Sequence, residues 1–204
     1  MSKTIVTVQH TQSQHHTNGM IGAWGDWELT ELGIKQAENI GSILSREIDF
    51  QNYVMYSSDL KRAYQTAQAM NKYLRLSPIV TEAIREVNAG DGNGKPVGWY
   101  DENKLLKSTV YDPDYKPFAN AESDRELWER LYPFCKEILS NEQEKIIIVS
   151  HGTTLSFLQS MIIGDSFEDI SRRRFYGCSG SVSKFTVCDS GKVIIDYVNN
   201  RYGG

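Results

Sequence analysis

At 204 residues, with 40% hydrophobic and 24% charged side chains, the chain is long enough for one sizeable core and short for two domains. A net charge of -4 supplies no broad basic face, so nucleic acid is not an expected partner. No apolar run approaches the ~20 residues that cross a bilayer, and the start MSKTIVTVQH has no long apolar stretch of a secretory leader, so a soluble, cytoplasmic protein with no membrane contact is expected.

In chain order, residues 4–8 read as a short buried strand. A helix begins at Leu29, with Leu32, Gln36, Ile40, Ile43 and Leu44 near one face and Thr30 as its cap. Residues 53–56 form a second strand, and SSDL opens a helix on which Leu60, Ala63, Tyr64, Ala67, Met70 and Leu74 recur at three and four. Residues 78–81 make a third strand. From 88 to 121 the period is lost among glycines, prolines and aromatics, which is read as a lid or insert. Residues 122–139 are helical, carrying Leu127, Trp128, Leu131, Cys135 and Ile138, with a kink expected at Pro133.

KIIIVSHGTT follows: β-branched residues of a strand buried on both faces, then a helix capped by Thr153 or Thr154. Residues 182–187 and 193–197 read as a hairpin turning through Asp189, Ser190 and Gly191. The basic run Arg172, Arg173, Arg174 is read as a solvated helix face. Cys135, Cys178 and Cys188 are odd in number and outside any CxxC pattern, so they are read as core hydrophobes. The closing RYGG is expected to lack order. Strands alternating with helices predict a single α/β domain over 1–204, a three-layer sandwich whose mainly parallel sheet has an antiparallel edge.

Ligands of such sheets bind beyond the carboxyl ends of the strands. Two strands here run into histidine, at His10 and His151, which places two imidazoles at one rim. Gly152 and the helix after it add backbone N–H groups, a ready anion site. Arg62, in the first turn of its helix, reaches the same rim. Imidazole is a nucleophile toward phosphorus and arginine matches phosphoryl oxygens, so a phosphate is the expected guest. A metal site on HTQSQHH is not expected, because His10, His15 and His16 lack helical i, i+4 spacing and no acidic or cysteine cluster completes a set.

Six ordered stretches carry a family resemblance: VTVQHTQS, ELTELGIKQAE, YSSDLKRAYQTAQ, IREVNAGDGNGK, AESDREL and IIIVSHG. Together they resemble the histidine phosphatase superfamily, the phosphoglycerate mutase-like fold, in its phosphatase form. The resemblance implies a metal- and cofactor-independent phosphomonoesterase acting on a small phosphorylated metabolite. His10 would become phosphohistidine, Glu86 would be proton donor, and Arg62 and His151 would hold the phosphoryl oxygens. The alternatives are a weakened phospho-ligand binder or regulator and a phosphomutase; a homodimer is compatible with any of these.

The chain departs from the family pattern beside the nucleophile, with Gln9 for arginine and Thr11 for glycine. Gln9 still donates a hydrogen bond but carries no charge. His16 stands where the family commonly has a phosphate-touching asparagine, and its partial protonation is expected to return some of the missing charge. His15 receives no role. Gly92 and Asn93, where many relatives carry Trp-Glu, predict a more open substrate side.

Overall fold

The computed structural model describes residues 2–49 and 52–202. Its sheet has the order β3-β2-β4-β1-β5-β6, with β1 at Lys3–Gln9, β2 at Val54–Ser58, β3 at Ile79–Thr81, β4 at Lys145–Ser150, β5 at Ser181–Val187 and β6 at Val193–Arg201. The first four strands run parallel and β5 and β6 pair antiparallel. The helices are α1 at Glu31–Glu47, α2 at Lys61–Leu74, α3 at Val97–Asn103, α4 at Asp124–Ser140 and α5 at Gly152–Ile162.

Strand β4 is central because its side chains serve both layers. Ile146 and Ile148 pack with Leu127, Leu131, Phe157 and Leu158 of α4 and α5. Ile147 and Val149, on the opposite face, pack with Ile40, Leu44, Ala67 and Met70 of α1 and α2. This period-2 division of a wholly apolar run is what a strand buried on both sides requires. Gln9 of β1 lies level with Ser150 of β4 in a parallel register, so the residues after each, His10 and His151, emerge side by side.

Helix α1 starts where Thr30 predicts, its hydroxyl accepting from Gly33 N–H, but its buried stripe is rotated. Gly33, Ala37, Ile40, Gly41 and Leu44 face inward, while Leu32 is 51% exposed. Two glycines set this rotation by letting backbone approach backbone. A Cβ at Gly33 would fall 1.9 Å from Gln12 O, and one at Gly41 would fall 2.7 Å from Met70 O. Gly33→Ala is expected to cost at least ~2 kcal/mol, since overpacking against rigid backbone costs ~1–3 kcal/mol or more. Urea unfolding checks this, and an unchanged midpoint would refute it.

Several other expectations are corrected. Residues 88–121 are not without regular structure: α3 lies there, two turns long, and Trp99 stacks on Phe118 with centroids 5.7 Å apart. Gly92 does not open the pocket, because a Cβ there would fall 2.5 Å from Tyr100 and 2.9 Å from Phe118. The caps of α5 are not Thr153 or Thr154; His151 is its N-cap. Helix α4 begins at a capping box between Ser123 and Glu126 and runs through Pro133 to Ser140.

Of the cysteines only Cys135 is buried; Cys178 and Cys188 are half-exposed. Arg174 is not on a solvated helix face, since it pairs with Asp124 and lies 4.9 Å from the Phe157 ring centroid. In the closing stretch, Arg201 pairs with Ser181 in β6 and Tyr202 bonds to Asn39 and Glu47. Gly203 and Gly204 lie outside the described residues. Among the described residues no helix is long and apolar enough to cross a membrane.

Candidate active site

The rim after β1 and β4 brings together every predicted site residue. His10 and His151 have ring centroids 5.2 Å apart, and both are buried. His10 Nδ1 is 2.8 Å from Thr11 O, a carbonyl, so that nitrogen carries the proton and Nε2 keeps its lone pair. Arg62 Nε–H donates to that Nε2 at 3.2 Å, so the guanidinium covers the nitrogen available to attack.

Arg62 is the largest fully buried side chain, 1% exposed. It also donates to Gly25 O at 2.9 Å and Ala23 O at 2.7 Å. Ala23 is held at φ 37, a left-handed backbone that an L-residue adopts only when its surroundings demand it. Three of the five guanidinium N–H groups are thus committed, leaving two for a guest. Thr66 Oγ1 donates one turn on to Arg62 O and receives Thr11 N–H, tying the nucleophile loop to α2.

His151 Nε2 is 2.8 Å from Ser58 Oγ, and its buried Nδ1 has no partner. Gln9 lies against Gly152, where a Cβ would meet its Nε2 at 3.2 Å, so an uncharged amide occupies the mouth of α5. Glu86 does not pair with Arg85, which binds Asp59 instead. Its carboxylate accepts from the N–H groups of Val87 at 2.9 Å and of Thr153 and Thr154 at 3.1 Å each. Glu86 therefore fills most of the expected anion site at the start of α5, and Gly152 is the first-turn donor left for a phosphoryl oxygen. Arg130 clamps the acid loop by donating to the carbonyls of Ala83, Arg85 and Glu86, and is itself held by Glu122.

The remaining histidines complete a cluster that the spacing argument did not anticipate. His16 stacks on His10 at 5.5 Å and its Nδ1 accepts Ser13 N–H at 3.1 Å. His15 Nδ1 is 2.7 Å from Ser13 Oγ. Desolvation, then the Arg62 charge, holds His16 below its ordinary value; desolvation, then the neighbouring His16 and Arg62, holds His15 at about 3. His16 thus does not supply the expected positive charge; in its neutral form, with Nδ1 accepting, it presents Nε2–H as a donor.

Burial first and Arg62 second push His10 and His151 well below the ordinary imidazole range. Both are neutral when folded, while the unfolded chain protonates each near 6.5. The stabilising contribution is therefore complete above about pH 6.5 and is lost as pH falls below it, by up to ~1.4 kcal/mol per pH unit for each ring. Urea midpoints at pH 7.5 and 5.5 check this: the lower pH should give the lower midpoint, and equal midpoints would refute it.

The residues missed by sequence reasoning are Ser58, Ser13, Thr66 and the carbonyls of Ala23 and Gly25. Ser58 and Thr66 do sit inside YSSDLKRAYQTAQ, flanking Arg62 at intervals that a strand end and a helical turn place on one side.

Comparison with known proteins identifies relatives of the whole chain. The chain is 28% identical over 181 residues to phosphoserine phosphatase 1 of Hydrogenobacter thermophilus, covering 87% of this chain and 82% of that one. It is 31% identical over 169 residues, 78% of each chain, to the 2,3-bisphosphoglycerate-dependent phosphoglycerate mutase of Rhizobium johnstonii. Among solved structures, a mycobacterial glucosyl-3-phosphoglycerate phosphatase shares the fold with a TM-score of 0.81 at 20% identity, covering 98% of this chain and 99% of that one. Residues 5–200 match the histidine phosphatase superfamily (branch 1). The chain therefore belongs to the histidine phosphatase superfamily, as a phosphoric monoester hydrolase of that type.

Proposed function

We propose that this protein hydrolyses a small phosphorylated metabolite through a phosphohistidine at His10 and without a metal. The observation that carries the reading is the pairing of a neutral His10, its Nε2 lone pair held only by Arg62, with a second buried imidazole 5.2 Å away. In the first step Nε2 attacks phosphorus in line, the N–P bond forms and the P–O bond to the leaving group breaks. The proton carried in by the substrate's phosphate monoanion passes through the Glu86 carboxylate to the departing oxygen. In the second step water attacks the phosphohistidine, Glu86 takes the water's proton, and inorganic phosphate leaves with His10 neutral again.

Arg62, His151 and Gly152 N–H oppose the growing charge on the phosphoryl oxygens. Gln9 and His16 add uncharged donors where the family's arginine and asparagine would stand. We assign the leaving group to a cavity of about 220 Å³ that starts at Val87 and Asn88, just after Glu86, and is walled by Tyr100, Lys107 and Tyr115. These walls come from residues 88–121, which we take as the lid; Leu106 at its tip is 97% exposed. This single-domain arrangement, with a polar and aromatic wall, suits a phosphoester of modest size.

Gln9 favours one competing reading, a phospho-ligand binder with little turnover. A charge-assisted bond weakened by ~2 kcal/mol slows the reaction by roughly 10- to 100-fold, which leaves measurable catalysis. The deciding experiment is a screen of phosphomonoesters in chelator, with acid quenching to trap a labelled protein. Turnover with acid-labile, base-stable label supports hydrolysis; tight phosphate binding with neither supports the binder.

A further inference from the structure

We propose that His10, His15 and His16 form a site for a borderline divalent transition-metal ion, with Zn²⁺ as its type, and that filling it silences the nucleophile. One ligating nitrogen from each of the three rings lies within 4.8 Å of the others, and the His15 and His16 centroids are 4.0 Å apart. Zinc bonds imidazole at ~2.0–2.1 Å, which sets tetrahedral nitrogens roughly 3.3 Å apart. The rings therefore need to close by up to about 1.5 Å. His15 and His16 can move that far, because they sit on a three-residue 3₁₀ turn, Gln14–His16, with no buried residue.

The outer hydrogen bonds suit the purpose at two of the three ligands. His10 donates Nδ1–H to Thr11 O, and His15 Nδ1 meets Ser13 Oγ at 2.7 Å, the kind of outer partner that fixes a metal-binding histidine with Nε2 bare. His16 must give up the bond it accepts from Ser13 N–H. The ion must also displace Arg62 Nε–H from His10 Nε2 and tolerate the guanidinium charge. These costs put the affinity below that of a dedicated structural site. Three imidazoles without a carboxylate select zinc and copper over magnesium and calcium, and leave a fourth position for water or a phosphate oxygen.

The ion is here an inhibitor, so this goes beyond the hydrolytic reading, in which no metal takes part. The residue that separates the two is His15, which has no place in the catalytic or phosphate contacts. The chelator-stripped protein should bind one equivalent of Zn²⁺ by titration calorimetry, bind no Mg²⁺, and lose turnover as zinc is added. His15→Asn should bind zinc at least ~10-fold more weakly and resist inhibition by the same factor, with basal turnover within about twofold of the parent. His15→Gln, with circular dichroism as a check on folding, guards against a local collapse at Asn. The calorimetry stands whether or not a phosphoester is turned over. A parent that takes up no zinc, or a His15→Asn protein that binds it as tightly as the parent, overturns the proposal.

Discussion

His10→Ala is expected to lower phosphomonoester turnover by on the order of 10⁴-fold or more, approaching the ~10⁶-fold cost seen when a covalent nucleophile is deleted from a catalytic constellation. Two neighbouring rings are committed elsewhere: His151 is engaged through Nε2 with Ser58, and His16, whose Nδ1 accepts Ser13 N–H, carries its proton on Nε2 in the neutral form. The variant should also take up no acid-labile phosphoryl label. Its fold should survive, because the imidazole lost is a desolvated group whose hydrogen-bond partners among the described residues are Thr11 O and Arg62. The acid sensitivity of stability should fall by one group's share. Label on the alanine variant, or turnover within tenfold of the parent, would end the phosphohistidine reading.

Arg62→Met should act on both rate and stability. Methionine keeps much of the length and the helix propensity but removes every N–H. The transition state then loses its one formal cation against the phosphoryl oxygens, a loss of ~10²–10³-fold in kcat by comparison with deleting a preorganised donor. The carbonyls of Ala23 and Gly25 lose their donors. At ~1–3 kcal/mol for each unsatisfied group, eased where water can enter, the variant should be ~2–4 kcal/mol less stable in urea. The loop at Ala23 should relax as well, because nothing then holds its φ of 37. A kcat within tenfold of the parent would put the guanidinium outside the transferring group.

What could be read in the sequence follows from how each feature is encoded. His10 and His151 were legible because each ends a short run of β-branched residues, and a parallel sheet gathers strand ends at one rim. Arg62 was legible from its place in the first turn of a helix that follows a strand. Glu86 came only with the family resemblance, since nothing local says that its carboxylate will cap α5 rather than meet Arg85. Ser58, Ala23 and Gly25 act through a hydroxyl and two carbonyls, which every loop possesses, so composition gives no sign of them. The gathering of His15 and His16 depends on a 3₁₀ turn too short to leave a period. The same limit hid α3, seven residues long, and the rotation of α1 was set by glycines that hydrophobic counting ignores.

The seat of Glu86 on the first turn of α5 has a kinetic consequence. A helix mouth already holding a carboxylate has little long-range pull left for a dianion, and the surrounding imidazoles are uncharged. Arg62 and Glu86 offset one another, so the empty cleft is close to electroneutral. Capture then depends on short-range fit rather than on steering from afar, and the spent inorganic phosphate meets no strong electrostatic trap on its way out.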